Sequence, residues 1–259
     1  MKKLSIITIN LNNVKGLTKT IESVVSQTFA DYEYIIIDGG STDGSVEIIK
    51  QYADKITYWV SEPDRGVYHA LNKGIEQAKG EYCYFLNSGD WILQNSGLQY
   101  VFDKNPVEDI LYCDVLHGKK KCIYPDKLSM YFFFETTITH QASFIKRSLF
   151  STYGLYNEKY KIVSDWEFWL KTIIKGQCSY LHIPFLLVYY DIEGMSWTSH
   201  FNLLEMEKAK ILEENFPEMY EFYKELLALR EEMHFYKDSK LIQIVRKIQM
   251  SRFYKKIRK

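Results

Sequence analysis

The residues best placed to do chemistry are carboxylates standing where apolar runs stop: Asp38 after Tyr34-Ile-Ile-Ile, Asp64 in Ser61-Glu-Pro-Asp, and Asp90 in Asn87-Ser-Gly-Asp. A fourth, Asp165, lies in Ser164-Asp-Trp-Glu167, ahead of an apolar helical pattern. Asp90 could help hold Mg2+ or Mn2+, because such hard cations take one or two carboxylates and complete their shell with water and substrate phosphate oxygens. It also reads as a turn residue, since Asn, Ser, Gly and Asp all favour turns. A carboxylate at a buried strand end such as Asp38 is costly without hydrogen-bond donors. A nucleotide's base or ribose could supply them, or the amides of its own Gly-Gly turn. Thr8 and Asn10 could likewise meet a ligand or tie a loop. Asp165 is a candidate general base, with helix-dipole complementarity as its alternative role. Ser164 and Glu167 match a capping box.

His140-Gln141 is a polar pair before an apolar strand, able to bind sugar hydroxyls or to close a loop. Trp166, Trp169 and Trp197 could stack on a sugar or fill a core. His69, His182 and His200 read as structural. Several common phosphate and metal signatures are missing. Gly39-Gly-Ser-Thr-Asp-Gly44 has the glycine spacing of a P-loop but puts Ser45 where the lysine is required, no intact G-x-G-x-x-G follows the first strand, and H-E-x-x-H is absent.

The elements that must position these residues alternate between short β-branched runs and stretches with apolar residues three or four apart. Strands are expected at 4–9, 33–38, 58–60 and 81–86, and helices at 16–29, after Gly44, and from Val67 to Ala78. This βαβαβα pattern, with strands apolar throughout, predicts an α/β fold on a parallel sheet covered on both faces. Ligands of open α/β sheets bind outside the carboxyl ends of the strands. The clusters at Thr8 to Asn10, Asp38, Ser61 to Asp64 and Asn87 to Asp90 should therefore converge on one crevice. The next hundred residues predict an α+β half, with strands near 110–113, 121–124, 142–145 and 179–189 and helices near 146–151 and 165–175. Residues 202–236 predict two helices broken near Pro217. The organisation expected is a catalytic domain over 1–200, divided at about residue 98, and a helical extension over 201–259.

At 46% apolar and 25% charged residues the chain sits among ordinary globular proteins, far from disordered or collagenous composition. Its 33 basic and 33 acidic residues cancel, which argues against a nucleic-acid binder. Yet 240–259 holds eight basic residues and no acid, leaving 25 basic against 33 acidic groups in the rest. Such a tail could lie on anionic lipid, pack against the body or a partner, or stay disordered. Cys83, Cys113, Cys122 and Cys178 form no C-x-x-C pair and are expected as buried reduced thiols, which fits a reducing, cytoplasmic compartment. Neither a signal peptide nor a membrane span is expected.

Taken in order, Ser5-Ile-Ile-Thr-Ile-Asn10, Gln27-Thr28, Tyr34-Ile-Ile-Ile-Asp-Gly-Gly-Ser-Thr-Asp-Gly44, Asp64-Arg-Gly-Val-Tyr-His-Ala-Leu-Asn-Lys-Gly74, Asn87-Ser-Gly-Asp90, His140-Gln141 and Ser164-Asp-Trp-Glu167 resemble the family 2 glycosyltransferases. The resemblance implies the GT-A fold, a Rossmann-like nucleotide-binding sheet with an acceptor-side half. It implies an inverting enzyme that moves a sugar from a nucleotide-diphosphate donor, such as a UDP-sugar, to a growing polysaccharide or lipid-linked glycan at the inner membrane face. By the same likeness Thr8, Asn10, Asp38, Asp64, Arg65, Asn72 and Ser88 would hold the nucleotide. Asp90 would coordinate Mn2+ or Mg2+, Asp165 would be the base, and His140, Gln141 and Trp166 would meet sugar. Ser88 replaces the first acid of the family's D-x-D motif, and His69 stands where an acid is expected. The rival readings are a sugar nucleotidyltransferase and a non-catalytic nucleotide-sugar binder.

Overall fold

A computed structural model describes residues 1–191 and 201–238; the basic stretch 240–259, Trp197 and His200 lie outside the described residues. Four parallel strands start the chain: β1 (Leu4–Asn10), β2 (Tyr32–Asp38), β3 (Tyr58–Ser61) and β4 (Tyr82–Phe85). Helices α1 (Val14–Val25), α2 (Ser45–Gln51) and α3 (Val67–Gln77) connect them. Every residue of β1 is buried: β2 and β4 flank it within the sheet, and helices pack on the faces to which its side chains alternate. Helix α3 approaches β1 so closely that a Cβ at Gly74 would overlap the Ile7 side chain. The stripe of α1 (Leu17, Ile21 and Val24) is fully buried, each side chain contributing roughly 1.5–3 kcal/mol.

Helix α1 ends at Val25, short of the expected 29. The Gln27 side chain instead brackets the 94–98 segment, donating to the Gln94 carbonyl and accepting from Leu98 N–H, while Thr28 N–H reaches the Asn95 carbonyl. These hydrogen bonds hold the turn that follows Asp90.

After β5 (Trp91–Ile92) and α4 (Gly97–Phe102) come β6 (Ile110–His117), β7 (Lys120–Cys122), α5 (Met130–Glu135), a 3-10 turn (His140–Ala142), β8 (Ser143–Lys146) and α6 (Arg147–Tyr153). Helix α7 (Ser164–Trp169) runs into a π-helical segment (Leu170–Lys175) before β9 (Tyr180–Tyr190). The sheet order is β3-β2-β1-β4-β8-β6-β9-β5, with β7 on β6; β8 is antiparallel to β4 and β6 and makes the sheet mixed. Elements β5, α4 and α5, each six residues or shorter, have no counterpart in the sequence-based expectation. Two residues, or six, are too few to establish a period.

The chain divides into two compact units, the second starting at Glu205. Helices α8 (Phe201–Asn215) and α9 (Pro217–Asp238) break at Pro217, as expected; a proline at a first helical position sacrifices no hydrogen bond. On α9 Tyr223 is buried, while Met219 and Phe222 are exposed. No described helix is long and apolar enough to cross a membrane. All four cysteines are free; Cys83 and Cys113 are buried and Cys122 and Cys178 half-buried.

Candidate active site

The four polar clusters meet at the carboxyl ends of the parallel strands. Asp38 lies in β-ladder register with Asn10 on one side and Ser61 on the other, and all three side chains join. Asp38 Oδ1 accepts from Asn10 Nδ2 at 2.7 Å and Ser41 Oγ at 2.6 Å; Oδ2 accepts from Ser61 Oγ at 2.6 Å and from the amides of Gly40 and Ser41. Burial pushes this carboxyl up, but the hydrogen bonds from Ser41, Ser61 and Asn10 outweigh it and hold the group below its ordinary value. A carboxylate offers about four lone-pair sites, and here the protein fills them. In this structure the donors that a nucleoside is expected to supply to Asp38 come from its own loop and its ladder neighbours.

Two more expected nucleotide contacts are likewise turned inward. Thr8 is 0% exposed and its hydroxyl pairs with Tyr34 at 3.1 Å, beneath the crevice floor. The Asn72 amide clasps the Tyr156 backbone on both sides, at 2.8 and 3.0 Å, and ties α3 to the loop before α7. Asn10, Asp64, Arg65 and Ser88 remain. A Cβ at Gly39 would lie 3.1 Å from Asp64 Oδ2 and 3.5 Å from the Asn10 carbonyl, so Asn10 and Asp64 share one corner. Asp64 Oδ1 takes Lys73 Nζ at 2.8 Å and faces His69 Nδ1 at 3.2 Å. His69, in place of an acid, puts a ring nitrogen against Asp64. Arg65 is 71% exposed and reaches Glu158.

Ser88 hangs from the end of β1, its amide on the Ile9 carbonyl and its own carbonyl on Asn13 Nδ2. Two residues on, Asp90 is 4% exposed. Burial pushes its carboxyl to about 7, against lowering by the Asp191 amide, His140 and Gln141; the Asp191 carboxylate pushes it up further. Asp90 Oδ1 accepts the Asp191 amide at 2.8 Å.

Such a buried acid, opposed by a second carboxylate and relieved only by neutral or histidine donors, fits a cation's donor set. Asp90 and Asp191 would supply oxygens to it. Among the described residues no cluster of three or more His, Cys, Asp or Glu side chains could hold a metal alone, so water and diphosphate oxygens would complete the shell.

Asp165 turns toward this loop. Its Oδ2 meets His140 Nδ1 at 3.1 Å, and His140 Nε2 lies 3.2 Å from Asn87 Nδ2, in the loop that carries Asp90. Asp165 Oδ1 accepts from the Tyr68 hydroxyl at 3.0 Å and from the Trp166 amide at 2.9 Å. The side chain keeps 14% exposure.

The expected capping box is not formed. The Ser164 hydroxyl accepts from the Asn157 amide and Glu167 pairs with Lys171, because α7 already starts at Ser164 and leaves Val163 as its cap. Trp166, expected to meet sugar, is 1% exposed in this structure with its indole N–H on the Phe133 carbonyl. His140 and Gln141 are buried; His140 spends its ring nitrogens on Asp165 and Asn87, and Gln141 helps lower the Asp90 carboxyl.

The model of glycosyl transferase family 2 matches residues 5–159. The chain belongs to that family. It is 30% identical over 203 residues to a PGL/p-HBAD biosynthesis glycosyltransferase of Mycobacterium bovis, covering 75% of this chain and 79% of the relative. An uncharacterized glycosyltransferase of Mycobacterium tuberculosis is 33% identical over 201 residues, 74% of this chain and 76% of the relative. Among solved structures, residues 1–349 of Staphylococcus aureus TarS in complex with UDP-GlcNAc superpose with a TM-score of 0.66 at 19% identity, over 81% of this chain and 65% of that one. The mannosyltransferase PcManGT of Pyrobaculum calidifontis, in complex with GDP-Man and Mn2+, gives 0.58 at 15% identity, over 82% of this chain and 62% of that one. The chain thus spans less than two thirds of either structure, and the fold is GT-A.

Sequence reasoning overlooked Tyr68 and Asp191 as site residues and gave Asn87 only as part of the Asn87 to Asp90 cluster. Asp191 carried a usable signal: it ends the apolar run Phe185 to Tyr190 just as Asp38 ends β2. Tyr68 was hidden in the apolar stripe of α3, where a hydroxyl leaves the period unchanged.

Proposed function

We propose that this glycosyltransferase moves a sugar, with inversion, from a UDP-sugar to a hydroxyl of a growing glycan or lipid-linked acceptor, with Asp165 as base. The observation that carries this reading is the hydrogen-bonded line from Asp165 through His140 to Asn87. It sets one carboxylate across from the loop that ends in Asp90.

In the proposed reaction Asp165 Oδ2 takes the proton of the acceptor hydroxyl as that oxygen bonds to the anomeric carbon. The bond from the anomeric carbon to the diphosphate oxygen breaks on the opposite face, and its electron pair leaves with the diphosphate. Asn10, Asp64, Arg65 and Ser88 hold the nucleotide, and Ser41 and Ser61 keep Asp38 from competing for it. Mn2+ or Mg2+, held by Asp90 with Asp191, would supply positive charge opposite the departing diphosphate. The complexes of TarS with UDP-GlcNAc and of PcManGT with GDP-Man and Mn2+ support the choice of donor class and cation. We place the reaction at the cytoplasmic membrane face, with 240–259 on anionic lipid; its eight basic residues support that placement.

A thermal-shift panel of UDP, GDP and NAD, each with and without MnCl2, tests the donor class. Stabilisation by UDP that grows with Mn2+ is expected, and stabilisation by NAD alone would overturn the reading. Binding without turnover of any donor would favour the non-catalytic binder.

A further inference from the structure

The 3-10 turn His140–Ala142 is buried, yet its first two side chains reach toward the site instead of completing the turn. His140 reaches Asp165 on one side and Asn87, in the loop that carries Asp90, on the other, while Gln141 helps hold the Asp90 carboxyl down. The Ala142 amide closes that turn on the Thr139 carbonyl, and the Ser143 hydroxyl bonds the same carbonyl at 2.7 Å, anchoring it to the start of β8.

The hydrogen-bond inventory specifies the imidazole's state. An ionised Asp165 can only accept, so His140 Nδ1 must carry a proton. As the Asn87 amide is oriented, Nδ2 faces His140 Nε2 and can only donate, so Nε2 offers a lone pair; the opposite orientation would present Oδ1, which has no partner among the described residues, and would call for a protonated Nε2. A ring protonated at Nδ1 and bare at Nε2 satisfies both neighbours. Asp165 Oδ1 is meanwhile occupied by Tyr68 and the Trp166 amide. Oδ2, with one bond to His140, keeps the lone pair that an acceptor hydroxyl could use.

The geometry points to His140 as a positioning residue: as the neutral Nδ1–H tautomer it fixes Asp165 Oδ2 and, through Asn87, fixes that carboxylate relative to the loop that carries Asp90. This inference rests on the reading of Asp165 as base and goes beyond it, since it replaces a sugar contact for His140 with an internal one. Orientation is where such a residue acts. A base displaced by about 1 Å from its productive position can lose roughly 10²-fold in rate, while nucleotide binding on the far side of the crevice is untouched.

The test compares two near-isosteric variants of the full chain. His140→Asn puts an amide N–H near the Nδ1 position and keeps the donor to Asp165, whereas His140→Gln reaches toward the Nε2 position and loses it. With hydrolysis of UDP-glucose, UDP-galactose and UDP-GlcNAc as the readout, His140→Gln is expected to lower kcat about 10²-fold and His140→Asn to recover at least about tenfold of that loss. Affinity for UDP with MnCl2, measured by calorimetry, should be unchanged in both. Equal losses in the two variants, or a loss confined to UDP affinity, would overturn the positioning role. A second measurement needs no turnover: 15N spectra of histidine-labelled protein, with His140 assigned by its loss in His140→Asn, should show a protonated Nδ1 and bare Nε2, and Asp165→Ala should release that tautomer. A wild-type ring protonated at Nε2 refutes the inference. Full activity in Asp165→Asn would instead remove the base reading, leaving the spectrum to report whether His140 holds Asp165.

Discussion

Asp38 and Asp90 both follow parallel strands and both are buried, but the chain treats them in opposite ways. Asp38 receives five hydrogen bonds from its own loop and its ladder neighbours, and its carboxyl lies below the ordinary value. Asp90 has a second carboxylate beside it, and its carboxyl is pushed to about 7. A saturated carboxylate builds a wall, whereas an under-supplied one leaves a debt of positive charge that a ligand must meet. The wall of the crevice around Asp38 is thus finished in its electrostatics, and the loop that bears Asp90 is not. The contrast can be broken by substitutions on either side.

The largest effect is expected on the unfinished side. Asp165→Asn keeps the shape and the acceptor for the Trp166 amide but cannot take a proton, and should lower kcat by about 10²- to 10⁴-fold with UDP affinity intact. Turnover that persists undiminished would remove Asp165 from the mechanism.

Asp90→Asn should cost about 10²-fold or more in turnover and, unlike most site substitutions, stabilise the metal-free fold. The folded Asp90 carboxyl lies near 7 and the ordinary value is 3.8. The folded chain therefore binds this proton more tightly than the unfolded chain. Its contribution to stability falls as pH rises from about 4 to 7 and is lowest above 7, where the penalty is on the order of 4 kcal/mol at most. Melting of Asp90→Asn in EDTA should exceed wild type at pH 8, and the gap should narrow toward pH 5. A gap that widens on acidification contradicts the sign.

The asymmetry between the two halves also decides what could be read from residue order. In the first ninety residues each strand is a short apolar run closed by a polar cluster, so the run locates the element and its end locates the site. Asp38, Asp64 and Asp90 were legible for that reason. What was not legible was occupancy. Nothing in the order of residues says that Ser41 and Ser61 turn inward to saturate Asp38, or that Thr8 and Asn72 spend their polar atoms on Tyr34 and Tyr156. The line from Asn87 in the first half through His140 to Asp165 in the second joins residues 25 to 53 positions apart, brought together by the antiparallel insertion of β8. That contact has no periodic trace.

A smaller effect is expected on the finished side. Ser61→Ala removes one donor from a buried carboxylate and leaves its Oδ2 with two amides, so the loss should be about 1.5–3 kcal/mol of stability, read as an earlier urea midpoint with unchanged slope. A neutral outcome would show that Asp38 is not saturated by its own surroundings, and the contrast with Asp90 would lose its basis.

The smallest stability effect should come from Arg65→Ala, at the rim of the same half. Its guanidinium is 71% exposed and paired with Glu158 at 2.8 Å, and exposed pairs contribute about 0–1 kcal/mol. Glu158 is not stranded by the loss, because Asn72 Nδ2 still lies 3.3 Å from its other oxygen. Melting temperature should therefore barely move. UDP affinity provides the sharper measurement. An arginine whose only task is this ion pair would leave affinity unchanged as well, whereas one that swings from Glu158 to a diphosphate loses charge-assisted hydrogen bonds with the ligand. Those are worth about 1.5–3 kcal/mol each, so calorimetry should show UDP binding weakened about tenfold or more with the fold intact. That result would make Arg65 the residue in the nucleotide half that is held in reserve as Asp90 is, by a weak partner it can leave.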